Sequence, residues 1–274
     1  MSGLVRVAAF AVGVAALFAA AAAVGYALGP FDRGRTSAEP SHDDETTSGH
    51  GGHAATTGAE PSPPAAHGLS LAVSRRSPLT FRILGAEGRA LRSFDVLHER
   101  PMHLIAVRND LSAFHHVHPT LHGSTWVVEL ELDPGPYTLY ADFSSEGRRA
   151  VASAPLDVPG SWLERPLPPA STVAHAGPYT VALDAGDPHA ETPAMLSFRV
   201  TSDGEGVTVD PYLGARGHLV VLREGDLAYL HTHAEEDALE FETTFPSAGS
   251  YRAFLQLSVG GAVRTAAFTI EVPE

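Results

Sequence analysis

The sequence predicts an all-β protein made of two tandem antiparallel β-sandwich domains, immunoglobulin-like or cupredoxin-like, after an N-terminal transmembrane helix. Three observations lead there. Beyond residue 66 the apolar residues fall in short alternating runs broken by clusters of Gly, Pro, Asn and Asp, with no helical period. This stretch is written twice, and Val7 to Pro30 contains no charged side chain.

From the N-terminus, the apolar run follows Arg6 and is long enough to cross a bilayer, for which about 20 residues suffice. Residues 1–30 therefore read as a signal anchor, with the alanines at 19–23 offering a cleavage site if the segment is instead a removable signal peptide. The protein is expected to be a single-pass cell-membrane protein held through residues 7–30, its C-terminal domains extracytoplasmic, or to be secreted after cleavage. The 274 residues include no Cys, which suits export and removes disulfides, thiolate nucleophiles and Cys-ligated metal centres. A formal net charge of −14 excludes the basic surface that nucleic-acid binding needs.

Residues 31–66 hold Ser, Thr, Gly, Ala, Pro and acids with few large apolar side chains, so they cannot offset the entropy of ordering and read as a disordered tether. The tether carries His42, His50 and His53, and short His-rich tracts with nearby carboxylates suit Cu(II), Ni(II) or Zn(II).

Residues 67–160 and 175–274 form the two repeats, joined by a Pro-rich linker at 161–174 that reads as stiff and extended. An offset of 115 pairs His103-Leu-Ile-Ala-Val-Arg108 with His218-Leu-Val-Val-Leu-Arg223, and Phe114, His116 and His118 with Tyr229, His231 and His233. An offset of 114 pairs Tyr137 with Tyr251 and Tyr140 with Phe254. In repeat one, strands are expected near Leu69 to Val73, Leu79 to Leu84, Met102 to Arg108, Ala113 to His118, Trp126 to Leu132, Tyr137 to Phe143 and Val151 to Val158. The turn entering Tyr137 resembles the tyrosine corner of immunoglobulin-like domains, with Leu139 and Ala253 standing where a second Cys would be.

Most of the functional signal lies in the repeated histidines. Turns at Asn109-Asp-Leu-Ser112 and Glu224-Gly-Asp-Leu227 make each block a hairpin whose paired positions sum to 221 or 451, so that His103 faces His118 and His218 faces His233. With His116 and His231 two residues away on the same face, three imidazoles converge in each repeat, where an apolar core face meets solvent. A register slip of one residue would undo this. His98 and Met102 are weaker candidates; a thioether beside imidazoles would favour copper over zinc. His122 is a further candidate, whereas His115 points to the face opposite His116. Histidines that merely cap a sandwich end remain the structural alternative.

The stretches His98 to Pro119 and Gly217 to His233, followed by Pro246-Ser-Ala-Gly-Ser-Tyr251, resemble a family of exported bacterial His-rich proteins with tandem immunoglobulin-like or cupredoxin-like (YtkA-like) domains. The resemblance implies an association with copper or heavy-metal handling, and the sequence departs from the family pattern at Ala234. Three classes of function follow. The first is a non-enzymatic, membrane-tethered metal-binding protein that buffers or passes ions, copper preferred and zinc the alternative. The second is a structural or interaction module with an unnamed protein partner. The third is a cupin-like metalloenzyme, suggested by Gly225 ahead of His231-Thr-His233 but weakened by Asp110 at the equivalent position of repeat one and by the lack of a second cupin motif.

Overall fold

The computed structural model describes residues 68–233 and 238–274, apart from the side chains of His231 and His233. The expected anchor at 7–30, the tether with His42, His50 and His53, and Ala234 lie outside the described residues. Among the described residues no helix is long and apolar enough to cross a membrane.

Repeat one contains β1 (Ser70–Arg76), β2 (Leu79–Leu84), β3 (His103–Arg108), β4 (Phe114–Val117), β5 (Thr120–His122), β6 (Thr125–Val128), β7 (Gly135–Ser145) and β8 (Arg148–Val158). They form two antiparallel four-stranded sheets, ordered β1-β2-β6-β5 and β4-β3-β7-β8. This strand order is that of an immunoglobulin-type sandwich with an added strand beside the third. In β2, Leu79, Phe81 and Ile83 are buried while Thr80 and Arg82 are not, the period-two pattern of a strand with one face in a core. The short β5, rich in polar residues, did not stand out in the sequence; it pairs with β6 through Thr120, Leu121 and His122.

Repeat two contains β9 (Val173–Ala176), β10 (Tyr179–Asp184), β11 (Pro193–Ser202), β12 (Glu205–Gly206), β13 (His218–Arg223), β14 (Tyr229–His233), β15 (Glu240–Thr244), β16 (Gly249–Val259) and β17 (Ala262–Val272). Its sheets are β12-β11-β10-β9, with β15 also on β11, and β14-β13-β16-β17. The fold is all-β, tandem and immunoglobulin-like.

Matching side chains tie equivalent points of the two repeats. The Asp95 carboxylate accepts bonds from Ser144 Oγ and the Gly147 N–H, both at 2.8 Å, and Asp210 accepts from the Gly261 N–H at 3.1 Å. Tyr251 Oη donates to Ser247 O at 2.7 Å, a tyrosine corner. Tyr137 is equally buried, but among the described residues no backbone carbonyl receives its hydroxyl.

All six residues of β3 are buried, as are the first five of β13. Leu104 and Ala106 enter the core of repeat one, and Leu219 and Val221 that of repeat two. Ile105 and Val107 join Val220, Leu222, Tyr229 and Phe254 in a third cluster that lies between the repeats. The expected edge between core and solvent is therefore corrected: the face bearing the histidines is covered by the other repeat. Phe114 stacks on Phe254 at 4.3 Å between ring centroids, and Tyr140 on Tyr229 at 4.6 Å. Phe114 and Tyr229 are equivalent positions, as are Tyr140 and Phe254, so the two stacks are reciprocal and the contact has pseudo-twofold symmetry. Tyr140 Oη also donates to Leu227 O across it at 2.7 Å. The linker lies along this contact: Trp162 faces the Arg108 guanidinium, the Arg165 N–H donates to Asp110, and Leu167 packs on the inter-repeat cluster.

Candidate metal centre

Both hairpins have the registers that their four-residue turns dictate. Ile105 pairs with His116 and Leu104 with Val117, summing to 221; Val220 pairs with His231 and His218 with His233, summing to 451. In repeat one this register brings His103, His116 and His118 together, with ligand nitrogens all within 4.8 Å of one another. His103 and His116 are 2% and 8% exposed. For His231 and His233 the structure gives the strand register only.

A backbone carbonyl assigns the tautomer of His103. His103 Nε2 lies 3.2 Å from Leu97 O, and a carbonyl can only accept, so Nε2 carries the proton. His116 Nδ1 lies 2.8 Å from Gln256 Oε1, and the other end of that amide lies 3.4 Å from Thr265 Oγ1, a hydroxyl that can donate or accept. His103 Nδ1 and His116 Nε2 lie 3.0 Å apart: with Gln256 donating to His116 Nδ1, His116 Nε2–H donates to His103, and with Gln256 accepting, both nitrogens present lone pairs. A bound cation would select the second arrangement, in which both lone pairs are turned toward it. Imidazole ligands of metals ordinarily donate their other N–H to a carbonyl or carboxylate; His103 has Leu97 O in that place and His116 the Gln256 amide.

The loop before β3 sets this arrangement. Leu97 and Arg100 exchange both backbone hydrogen bonds, with positive φ at His98 (48°) and Glu99 (61°), the signature of a two-residue type I′ turn. Tyr212 and Ala215 do the same around Leu213 (52°) and Gly214 (72°). Tyr212 O then accepts from His218 Nε2 at 2.9 Å, just as Leu97 O accepts from His103. The two first histidines are thus held identically, each with Nδ1 as its acceptor nitrogen.

His218 is 1% exposed, and its ring lies 6.1 Å from His103 and 5.9 Å from His116 by centroids. The His98 ring is 6.3 Å from His103 and 6.2 Å from His218. Histidines from both repeats therefore meet at one end of the inter-repeat contact. Met102 is not among them. It is fully buried in the core of repeat one with Leu104 and Ala106, on the face opposite His103, so the expected thioether ligand is corrected. His122 is exposed on β5. His115 lies between Ala113 and Val117, which pack on the core of repeat one; burial depresses its pKa, opposed by the charge of Asp133.

Two neighbours escaped the sequence reading. Asp142 pairs in register with His103, and Gln256 with His218, at equivalent positions of the repeats. Asp142 is 2% exposed and meets Arg149 Nη2 at 3.2 Å, which puts a buried carboxylate in the strand beside the histidines. The 114-residue offset that aligns the tyrosines also aligns these two, and that was the available signal.

Fold and site together define a tandem immunoglobulin-type sandwich protein whose repeats close on a buried histidine cluster. The chain belongs to the family described as Domain of unknown function (DUF8832), whose model matches residues 65–160 and 172–274. Among solved structures it is similar to a two fibronectin type-III domain segment from chicken tenascin, at 10% identity and a TM-score of 0.25, over 74% of this chain and 99% of that one. It is also similar to the FN1–FN3 domains of chicken CNTN1, at 11% identity and a TM-score of 0.22, over 79% and 69% of the two chains. No curated protein matches it.

Proposed function

We propose that this protein is a non-enzymatic metal-binding protein, held on the outer side of a membrane through residues 7–30, that buffers or passes metal ions through its histidines. The observation that carries the reading is the His103, His116 and His118 triad, with nitrogens within 4.8 Å and two rings already held by a hydrogen bond at their second nitrogen. Copper is the preferred ion and zinc the alternative. Divalent copper outranks zinc at nitrogen sites. With Met102 in the core, the preference rests on imidazoles alone. His42, His50 and His53 would supply weaker sites that raise the local ion concentration.

The test is a calorimetric titration of the metal-stripped full chain with Cu(II), Cu(I) and Zn(II), beside a variant with His103, His116 and His118 changed to Ala. Tight uptake that disappears in the variant, with copper bound more strongly than zinc, supports the reading. Uptake that is the same in both proteins would place the metal on the tether and leave the sandwiches as interaction modules.

A further inference from the structure

The geometry points to a single metal centre shared by the two repeats, built from His98, His103, His116 and His118 of repeat one and His218 of repeat two, with Gln256 as the acceptor that orients His116. The bound ion would then bolt one sandwich to the other. This inference rests on the metal-binding reading above and adds where the ion sits and what it does to the molecule.

Four observations support a shared centre over one site per repeat. The distances from His218 to His103 and His116, 6.1 and 5.9 Å, are only slightly longer than the 4.9–5.2 Å that separate the rings within the triad. His103 and His218 are held alike by equivalent backbone carbonyls, so each turns the same nitrogen, Nδ1, away from its turn. The hydrogen bond that holds the second nitrogen of His116 comes from the other repeat, through Gln256, so the setting of a repeat-one ligand is not complete without repeat two. Finally, His98 is equidistant from His103 and His218, at 6.3 and 6.2 Å, and the duplication is broken at this position, because its counterpart is Leu213. One histidine placed between the halves is enough for one centre.

The reciprocal aromatic stacks give the centre a fixed frame. They hold β3 and β13 face to face through Ile105, Val107, Val220 and Leu222, so an ion binding at the end of that contact meets ligands already in place. By mass action a ligand that binds only the closed arrangement stabilises it.

The experiment uses the full chain with the tether histidines His42, His50 and His53, and His67 at the first position of repeat one, changed to Ala, titrated with Cu(II) and Zn(II) and melted with and without metal. The expected result is one tight ion per chain and a metal-dependent rise in the melting midpoint. His218→Ala, wholly within repeat two, should weaken that ion at least tenfold. Gln256→Leu keeps every imidazole and should weaken it by roughly 10- to 100-fold, the usual effect of losing an orienting partner. Metal-free melts of both variants separate lost ligands from lost fold, and Gln256→Glu, which restores an acceptor, should recover the affinity. If His218→Ala and Gln256→Leu fold and still hold an ion with parental affinity while His103→Ala does not, the centre belongs to repeat one alone: the inference falls and the metal-binding reading stands. If the parent takes up no ion, both fall.

Discussion

At the scale of single residues, Asp95 shows how one carboxylate can fasten a loop to a hairpin. The Gly147 N–H and, next in size, the Ser144 hydroxyl stabilise its charged form and hold its pKa below the ordinary 3.8. A carboxylate whose folded pKa is depressed contributes stability above its unfolded pKa, and that contribution is lost as the pH falls through the lower, folded value. Asp95→Ala should therefore lower the melting midpoint at pH 7, and the gap from the parent should narrow below about pH 4, which thermal melts across pH would check. Tyr140 provides a second case. Its hydroxyl pKa is driven far up, first by burial and then by Asp226, so it is a neutral donor to Leu227 O at any working pH. Tyr140→Phe keeps the stack on Tyr229 and removes the bond, at a cost of about 1 kcal/mol measurable by denaturant titration. Neither role was legible beforehand, because their partners lie 49 to 87 residues away in the chain.

At the scale of elements, the turns and strand entries show why equivalent residues need not be equally tolerant. Gly135 and Gly249 open the equivalent strands β7 and β16, with φ of 137° and 140°, a conformation that L side chains rarely adopt. A Cβ on Gly135 would also meet Arg108 Cδ at 2.8 Å and the Trp162 ring at 3.3 Å, whereas one on Gly249 would come no nearer than 3.7 Å to Arg223. Arg108 cannot easily yield, since it is held by Asp110, Ser112 and the Trp162 ring. Both Ala substitutions should destabilise by about 1–3 kcal/mol through backbone strain, with Gly135→Ala the worse of the two in parallel urea titrations. The hairpins were legible at this scale. A four-residue turn between two apolar runs leaves one register, and the pairings of β3 with β4 and of β13 with β14 are the ones that turn length implies.

At the scale of the whole molecule, the two sandwiches belong to one compact unit whose repeats share an apolar face and a histidine cluster. Aromatic stacks contribute about 0.5–1.5 kcal/mol each beyond the area they bury, so Phe114 with Phe254 and Tyr140 with Tyr229 are the main anchors of the contact. The intact protein should melt in one cooperative calorimetric transition. Phe254→Ala, which opens a cavity opposite Phe114 at a cost of about 3–5 kcal/mol, should split it into two. The same variant should lower metal affinity without touching a ligand, because the histidine frame depends on the contact; titration of the folded variant would show it.

The sequence by itself determined what is local or periodic. Alternating apolar residues produced strands, the turns set the hairpin registers, and the duplication marked both the repeats and the histidines that recur in them. It also contained, unread, a sign of the inter-repeat contact. The uninterrupted runs His103-Leu-Ile-Ala-Val and His218-Leu-Val-Val-Leu have no solvent-facing positions, as befits strands buried on both faces. Only the tertiary structure decided which surface covers the second face. It also sent Met102 into a core, while His98 and His218 came to lie beside the triad and Gln256 behind His116. The physical reason is that pattern and turn length act along the chain, where they can be read. The packing of one sandwich on another joins residues as far apart as His116 and Gln256, 140 positions, and depends on the shape and symmetry of two finished surfaces.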